Sequence, residues 1–227
     1  MILKSEKNEI RNPIQTAIVT GGHSFNVLEF HRLFRQLENV EAYIQHMDDF
    51  ASSSAEIRHS YDVILFYTML LDGPADDGHP WYAGRPRSVL EELGQTEQGI
   101  FMLHHSILAY REWPVWSQIV GFPDLTHDVT MAQNLLVEVE DPNHPITSEV
   151  SDWWMIDETY KMCDPDPDSQ VLLTTKHPTS MRVLAWTRQY QNSRVFCYQS
   201  GHDNRTWDNL NFITVLRRGI EWCAGRI

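Results

Sequence analysis

The sequence predicts an α/β protein with a mainly parallel central sheet, covered by helices on both faces, and an added antiparallel portion. Apolar strand-like runs alternate with helical segments in the first half of the chain, the arrangement that builds parallel sheets. Short strands follow one another in the second half, which favours antiparallel neighbours. Because 227 residues are enough for one such unit, we expect a single domain over residues 1–227.

Four strands are predicted in the first half, and they cover residues 14–20, 40–46, 62–68 and 99–103. A helix should follow the first strand, because Asn26 and Glu29 have the spacing of a capping box. Its apolar face would consist of Val27, Phe30, Phe34 and Leu37.

The segment between the third and fourth strands is predicted to be a loop followed by a helix. Residues 69–87 are rich in Gly, Pro and Asp, which is typical of a long exposed loop and suits a lid. Residues 88–98 should form a helix that ends at Gly99. A further short helix is expected over residues 112–120.

Short strands dominate the second half of the chain. They are predicted over residues 134–140, 152–160, 171–175, 182–187 and 194–199. A helix over residues 210–224 follows, with Ile213, Leu216, Ile220 and Cys223 on one face and Gly225 after it.

Charge and hydropathy exclude several classes of partner. The formal net charge of −13 repels nucleic-acid phosphates and anionic membrane surfaces, so we expect neither as a partner. No apolar run reaches the roughly 18 residues of a membrane helix. Residues 1–12 are charged and lack a signal-peptide core, so we expect a cytoplasmic location. The eight tryptophans leave open whether the protein is a homo-oligomer.

The three cysteines, Cys163, Cys197 and Cys223, do not suggest a cross-linked or zinc-ribbon protein. An odd number without metal-ligand spacing is evidence against both. Cys197 falls in a predicted strand and Cys223 near a helix end, so we expect both to be core thiols rather than nucleophiles.

Polar residues collect at the predicted ends of strands. The richest stretch is residues 201–209, between the last strand and the last helix, and it contains His202, Asp203 and Trp207. Ligands bind at the carboxyl ends of strands in open α/β sheets. The other residues expected at this edge are His23, His104, His105, Ser106, Asp157 and Glu158.

These residues suggest two kinds of chemistry, and the sequence does not choose between them. His23, His104 and His202, with a carboxylate, could bind a divalent metal such as zinc or manganese. The same groups could instead perform acid–base catalysis, since histidine titrates near neutral pH. Trp186 and Trp207 could stack on a substrate ring or close the pocket. Histidines at strand ends are often only hydrogen-bonding residues, and buried tryptophans usually belong to the core.

A covalent mechanism is disfavoured by the sequence around Ser106. A nucleophile on a sharp strand-to-helix turn needs small neighbours because the backbone there is strained. Here His104 and His105 precede Ser106, and no cysteine lies at the turn.

Motifs along the chain resemble those of the trehalose-utilisation (ThuA-like) family, within the class I glutamine amidotransferase-like superfamily. The likeness rests on their order and spacing, since each motif alone is weak. They are Gly21–Phe25, Gly99–His104, His144–Thr147, Ile156–Tyr160, Ala185–Thr187, Arg194–Phe196, Gly201–Asp203 with Trp207, and Gly219–Gly225.

The resemblance implies a flavodoxin-like three-layer sandwich without the amidotransferase nucleophile. It also implies a role on a sugar or keto-sugar, because family members occur with sugar-catabolism genes and with oxidoreductases that make keto-sugars. His105 departs from the family, which usually has a small residue there, so the pocket is expected to be tighter or to gain a ligand.

The leading hypothesis is an enzyme of carbohydrate metabolism, a hydrolase, lyase or isomerase, with a small-molecule carbohydrate as its partner and no nucleotide cofactor. The predicted catalytic residues are His104, Glu158, His202 and Asp157. The predicted substrate-binding residues are His23, His105, Tyr160, Trp186, Asp203 and Trp207. Two alternatives remain, a non-catalytic sugar-binding or assembly protein and an amidohydrolase-like enzyme that uses Ser106.

Overall fold

A computed structural model of the protein describes residues 12–76 and 86–227. The strands in these residues are β1 (Ile14–Gly21), β2 (Val40–His46), β3 (Val63–Thr68), β4 (Gly99–Leu103), β5 (Asp128–Val139), β6 (Trp153–Lys161), β7 (Gln170–Thr174), β8 (Val183–Tyr190) and β9 (Ser193–Tyr198). The helices are α1 (Val27–Arg35), α2 (Met47–Ser52), α3 (Ala55–Arg58), α4 (Pro86–Leu90), α5 (Pro114–Val120), α6 (Asn204–Trp207) and α7 (Leu210–Cys223).

The strands form one sheet in the order β2-β1-β3-β4-β9-β8-β7-β5-β6. The first five strands in this order are parallel to one another. The last four are added antiparallel. The predicted α/β class, with a mainly parallel sheet and an antiparallel extension, is therefore confirmed.

Two apolar cores lie on opposite faces of the parallel strands and make three layers. On one face, α1 and α7 contribute Phe30, Phe34, Phe212 and Leu216 to a core with Phe101. On the other face, α2, α4 and α5 contribute Phe50, Leu90, Trp116 and Ile119 to a core with Phe66. Side chains alternate between the two faces of a strand, so β3 and β4 supply both cores.

Helix α7 lies very close to the sheet at Gly219. A methyl group added there would be 2.4 Å from the Phe196 ring and 2.9 Å from the Phe101 ring. The sequence predicts this helix well, since Leu216, Ile220 and Cys223 are buried and Ile213 is partly buried. Gly225 follows the helix in a left-handed conformation, at φ 67°. Cys197 and Cys223 are buried free thiols, as predicted.

The segment from residue 69 to residue 99 differs in part from its prediction. Residues 69–76 contain no helix or strand, whereas residues 77–85 of the predicted loop lie outside the described residues. The helix expected over residues 88–98 is shorter and begins earlier, at Pro86–Leu90. Gly99 does not end a helix but begins β4. Glycine is required there because a Cβ atom would lie 2.5 Å from the Cys223 carbonyl oxygen.

Strand β5 also begins earlier than predicted, at Asp128, and it contains a bulge between Thr130 and Gln133. Ala132 has φ 56° in this bulge, a conformation that interrupts the alternating pattern from which strands are predicted. The short helices α2, α3 and α6 were not predicted, since each is at most six residues long and has no helical periodicity to detect. In the described part of the chain, no helix is long and apolar enough to span a membrane.

Candidate functional site

The candidate site begins at the turn that follows β4, in the middle of the sheet. His104 has φ 55°, a left-handed conformation that non-glycine residues seldom adopt and that often marks functional turns. Its side chain is fully buried, and its Nδ1 lies 2.7 Å from the carbonyl oxygen of Gln199. Since a carbonyl only accepts, Nδ1 carries the hydrogen, and Nε2 presents its lone pair to the site.

Glu158 and His202 meet His104 at this point. The Oε2 atom of Glu158 lies 2.9 Å from Nδ1 of His202, and its Oε1 atom lies 3.9 Å from Nε2 of His104. The two imidazoles approach at 3.3 Å, between Nε2 of His104 and Nδ1 of His202. The structure thus brings together three of the four residues predicted to be catalytic.

Strand β6 is held at the site by hydrogen bonds from the residue that follows β9 and from the segment before β8. Gln199 Nε2 donates to the carbonyl of Glu158 at 2.9 Å, and the amide of Met181 donates to the carbonyl of Tyr160. The Tyr160 hydroxyl lies 2.9 Å from Nε2 of His104 and donates a hydrogen bond to it. Tyr160 is buried at the site rather than exposed on its rim.

Asp157, also predicted to be catalytic, has a different position. Its carboxylate accepts hydrogen bonds from the amides of Gly201 and His202 at 2.9 and 3.0 Å and from the Thr206 hydroxyl at 2.9 Å. The amide of Glu158 also donates to it. Because this buried carboxylate already accepts four hydrogen bonds, it fixes the loop that carries His202 and does not face a ligand.

Tyr67 and Trp207 also hold the loop that carries His202. The Tyr67 hydroxyl lies 3.1 Å from the His202 carbonyl, and the Trp207 indole donates to the Gly201 carbonyl at 2.8 Å. Trp207 is almost fully buried against Phe30, so it supports the loop and has no free face for a substrate. Sequence reasoning missed Tyr67, although its place near the end of a buried strand could have identified it.

Trp186, Asp203 and Ser106, which the sequence also placed among the candidates, make their contacts elsewhere. Trp186 is fully buried in the core that contains α5, where its indole donates to the Val120 carbonyl. Asp203 caps α6 and pairs with Arg205. Ser106 is buried, and its hydroxyl donates to the Leu103 carbonyl at 2.8 Å, which leaves no exposed nucleophile there.

His23 and His105 lie beside the trio of His104, Glu158 and His202. The His23 ring centroid is 4.6 Å from that of His105 and 5.8 Å from that of His202. His105 is buried and packs on the Tyr67 ring at 4.3 Å. Both predicted residues therefore belong to the same edge of the sheet as the trio.

The charges of the trio follow from its burial and contacts. The hydrogen bond to Glu158 raises the pKa of His202, so that this ring takes up a proton more readily. Burial works to raise the pKa of Glu158, but the bond to His202 and the nearby His104 outweigh it and lower that pKa. Burial lowers the pKa of His104 to about 4, so this ring is neutral near pH 7.

The potential ligand set for a metal is clearly defined in the described residues. One ligand atom each from His104, Glu158 and His202 can be chosen so that all three lie within 4.8 Å of one another. Of the predicted ligands, His104 and His202 belong to this set together with the carboxylate of Glu158, whereas His23 lies outside it. Nδ1 of His104 is held by a backbone carbonyl, the outer contact that orients many metal-binding histidines.

Comparison with known families identifies the family of the chain. The family model described as ThuA, trehalose utilisation, matches residues 30–223. The chain belongs to the ThuA family. This membership supports a carbohydrate-related role for this ThuA protein. No curated protein matches it in sequence.

Solved structures confirm the fold of this ThuA protein. A ThuA-like protein from Parabacteroides merdae is 19% identical with a TM-score of 0.72, and the match covers 95% of this chain and 91% of that one. A protein of Salmonella typhimurium described as cytoplasmic is 12% identical with a TM-score of 0.62, over 91% and 98% of the two chains. A glutamine amidotransferase from Thermotoga maritima is 9% identical with a TM-score of 0.54, over 94% and 99%. At these identities the likeness shows the fold alone.

Proposed function

We propose that this ThuA protein is an enzyme that acts on a sugar or keto-sugar by acid–base chemistry, with His202 as the group that transfers the proton. The observation that carries the proposal is the 2.9 Å contact between the Glu158 carboxylate and Nδ1 of His202. A carboxylate that holds one imidazole nitrogen leaves the other nitrogen for a substrate, as in catalytic dyads. The proposal includes a lyase, an isomerase or a hydrolase, and a cytoplasmic location.

The pair is suited to proton transfer near neutral pH. Glu158 stabilises the protonated form of His202, and the half-buried position of His202 keeps its ring within reach of a ligand. In a keto-sugar, the hydrogen on the carbon next to the carbonyl is the acidic one. His202 would remove this proton, and Glu158 would stabilise the imidazolium that forms.

His104 and Tyr160 supply the second half of the proposed site. His104 is held neutral by burial, and its Nε2 faces Glu158 and His202. Burial raises the pKa of Tyr160, so its hydroxyl keeps its proton and donates it to Nε2 of His104. Because a phenol has a single hydrogen, Tyr160 acts by positioning the His104 ring beside Glu158 and His202.

Turnover of a defined panel tests the proposal. The wild-type protein is incubated with trehalose, glucose and their 3-keto derivatives, and products are followed by NMR. We expect turnover of at least one keto-sugar, and loss of that turnover by at least ~100-fold in His202→Asn and His104→Ala. Glu38→Gln, a change at an exposed residue in the turn between α1 and β2, is the control and should retain activity. Saturable sugar binding without turnover would favour the non-catalytic alternative.

A metal-assisted enzyme is the second candidate, because three ligand atoms converge at His104, Glu158 and His202. Three protein ligands and an open position are typical of catalytic zinc sites, and a bound zinc or manganese ion would polarise a substrate oxygen. Mass spectrometry of untagged protein purified without chelator tests this. About one ion per chain, lost in His104→Ala, would favour the metal. No ion after reconstitution would favour the metal-free mechanism.

A further inference from the structure

His105 has an unsatisfied nitrogen that the proposed chemistry does not use. The Nδ1 atom of His105 lies 3.3 Å from the carbonyl oxygen of Thr68. The carbonyl only accepts, so Nδ1 carries the hydrogen and Nε2 of the neutral ring is an acceptor. This Nε2 atom is buried and has no hydrogen-bond partner within residues 12–76 and 86–227. Buried polar atoms rarely lack a partner, and the exceptions often await a ligand or a water molecule.

The surroundings of His105 place this acceptor beside the reacting groups. The His105 ring is 5.1 Å from the His104 ring, and the His23 ring lies 4.6 Å away on the side of His202. Nδ1 of His23 is likewise buried and has no hydrogen-bond partner in the described residues. Tyr67 covers another face of His105 at 4.3 Å. Two unsatisfied nitrogens therefore flank the trio.

We propose that His105 and His23 form a specificity subsite, in which Nε2 of His105 accepts a hydrogen bond from a ligand hydroxyl group next to the reacting centre. This inference rests on the proposed function, since it requires a hydroxylated sugar in the site. A neutral acceptor offers no positive charge, and Glu158 beside the neighbouring His104 adds a negative one, so the subsite favours an uncharged hydroxyl over a phosphate or carboxylate. His105 thus determines which sugar carbon must carry a free hydroxyl.

The direction of the hydrogen bond gives the subsite a distinct signature. A hydroxyl group can donate to Nε2, whereas a C–F group at the same carbon cannot donate at all. If His105 accepts, the deoxy and fluoro analogues should bind equally poorly, because both leave Nε2 unpaired. If the ring instead donated through Nε2, fluorine would retain part of the contact.

Two variants separate the acceptor from the rest of the side chain. In His105→Gln, the amide oxygen can occupy the position of Nε2 and preserve an acceptor there. In His105→Asn, the shorter amide can still donate to Thr68 but offers nothing at the Nε2 position. The two variants differ by one methylene group, so they serve as matched controls for folding and polarity.

Calorimetric binding of trehalose, glucose, their 3-keto derivatives and the monodeoxy and monofluoro analogues tests the subsite. We expect the wild type to bind one parent sugar roughly 10- to 100-fold more tightly than one of its deoxy analogues, with the fluoro analogue equally weak. The ratio should approach one in His105→Asn and persist in His105→Gln. In turnover the loss should appear in KM rather than kcat.

Three outcomes overturn the inference, and they can be told apart. If the wild type binds none of these sugars, the proposed function fails and the subsite fails with it. If sugars bind but His105→Asn keeps the full discrimination, the subsite is wrong while the proposed function stands. If the fluoro analogue binds like the parent, the His105 ring is a donor and the acceptor assignment is wrong. The ¹⁵N chemical shift of Nε2, which moves when this nitrogen accepts a hydrogen bond, gives an independent readout.

Discussion

Glu158 and Asp157 are adjacent carboxylates with different environments, and their contacts give them different roles. Glu158 belongs to the proposed catalytic group, whereas Asp157 holds the loop that carries His202. Glu158 contacts two imidazoles, whereas Asp157 accepts four hydrogen bonds, three of them from the segment between Gly201 and Thr206. The sequence places both residues at the edge of the sheet but does not distinguish them. The distinction depends on which face of β6 each side chain occupies and on the bonds it makes in three dimensions.

Glu158→Gln should leave the fold intact and lower the rate of keto-sugar turnover by at least ~100-fold, because a neutral amide cannot stabilise protonated His202. Circular dichroism and turnover on the same sample measure both effects. Glu38→Gln changes an exposed glutamate in the same way and is the matched control. Activity equal to wild type in Glu158→Gln would remove Glu158 from the mechanism.

Asp157→Asn should instead destabilise the protein by about 1–3 kcal/mol, because one amide NH₂ group would face backbone donors that now bind an oxygen. Chemical denaturation gives the free energy of unfolding. The control is Asp128→Asn, an exposed aspartate at the start of β5, where little change is expected. An unchanged free energy of unfolding in Asp157→Asn would contradict the supporting role.

At the level of elements, the predictions succeeded where a periodic pattern was long or a cap was explicit. Asn26 caps α1 by accepting from the Glu29 amide, as the spacing predicts. The helix expected over residues 88–98 failed because the α4 segment ends after Leu90, in a series of turns that have helical composition but no continuing helix. Trp186 was assigned to the site for its residue type, yet the direction of its side chain from β8 places it in the core.

Gly219→Ala tests the close contact between α7 and the sheet. Alanine favours a helix over glycine by about 1 kcal/mol, but its methyl group would overlap the Phe196 ring. The collision should outweigh the helix propensity and lower the free energy of unfolding by about 1–2 kcal/mol. Thr214→Ala, in the same helix, removes no buried packing and should be near neutral. A stabilised Gly219→Ala protein would mean that α7 can move away from the sheet.

For the whole molecule, the sheet order explains why residues distant in sequence meet at one site. The carboxyl ends of β1, β4 and β9 share an edge, and that relation was predictable from strand alternation. The sequence also places Glu158 at this edge, but it does not predict the contacts that hold β6 there, such as the hydrogen bond from Gln199 to the Glu158 carbonyl. Those contacts join segments far apart in the chain, so no local pattern indicates them.

The buried histidines should make stability depend on pH. The pKa of His104 is lowered to about 4 in the folded protein, against 6.5 for a free histidine, and burial also lowers the pKa of His105. Between pH 4 and pH 6.5, residue 104 binds a proton in the unfolded chain but not in the folded protein. The free energy of unfolding therefore falls as the pH drops from about 6.5 towards 4. His104 alone would contribute about 3 kcal/mol.

Denaturation at pH 7 and pH 4.5 measures this dependence. The raised pKa of Asp157, about 6, acts in the opposite direction, so the informative quantity is the difference between wild type and variant. The loss of stability on acidification should be smaller in His104→Asn than in wild type. His59→Gln, a change at an exposed histidine, should lose as much stability on acidification as the wild type does. The same loss in His104→Asn and wild type would contradict the assignment of His104 as a buried neutral ring.

The most direct test of the central claim is exchange of the substrate hydrogen with solvent. A 3-keto-sugar is incubated with the protein in D₂O, and ¹H NMR follows the signal of the carbon next to the carbonyl. If His202 transfers this proton under the control of Glu158, deuterium should enter at that carbon with the wild type and with Glu38→Gln. It should enter no faster than in buffer with His202→Asn. Exchange at the wild-type rate in His202→Asn would contradict the account.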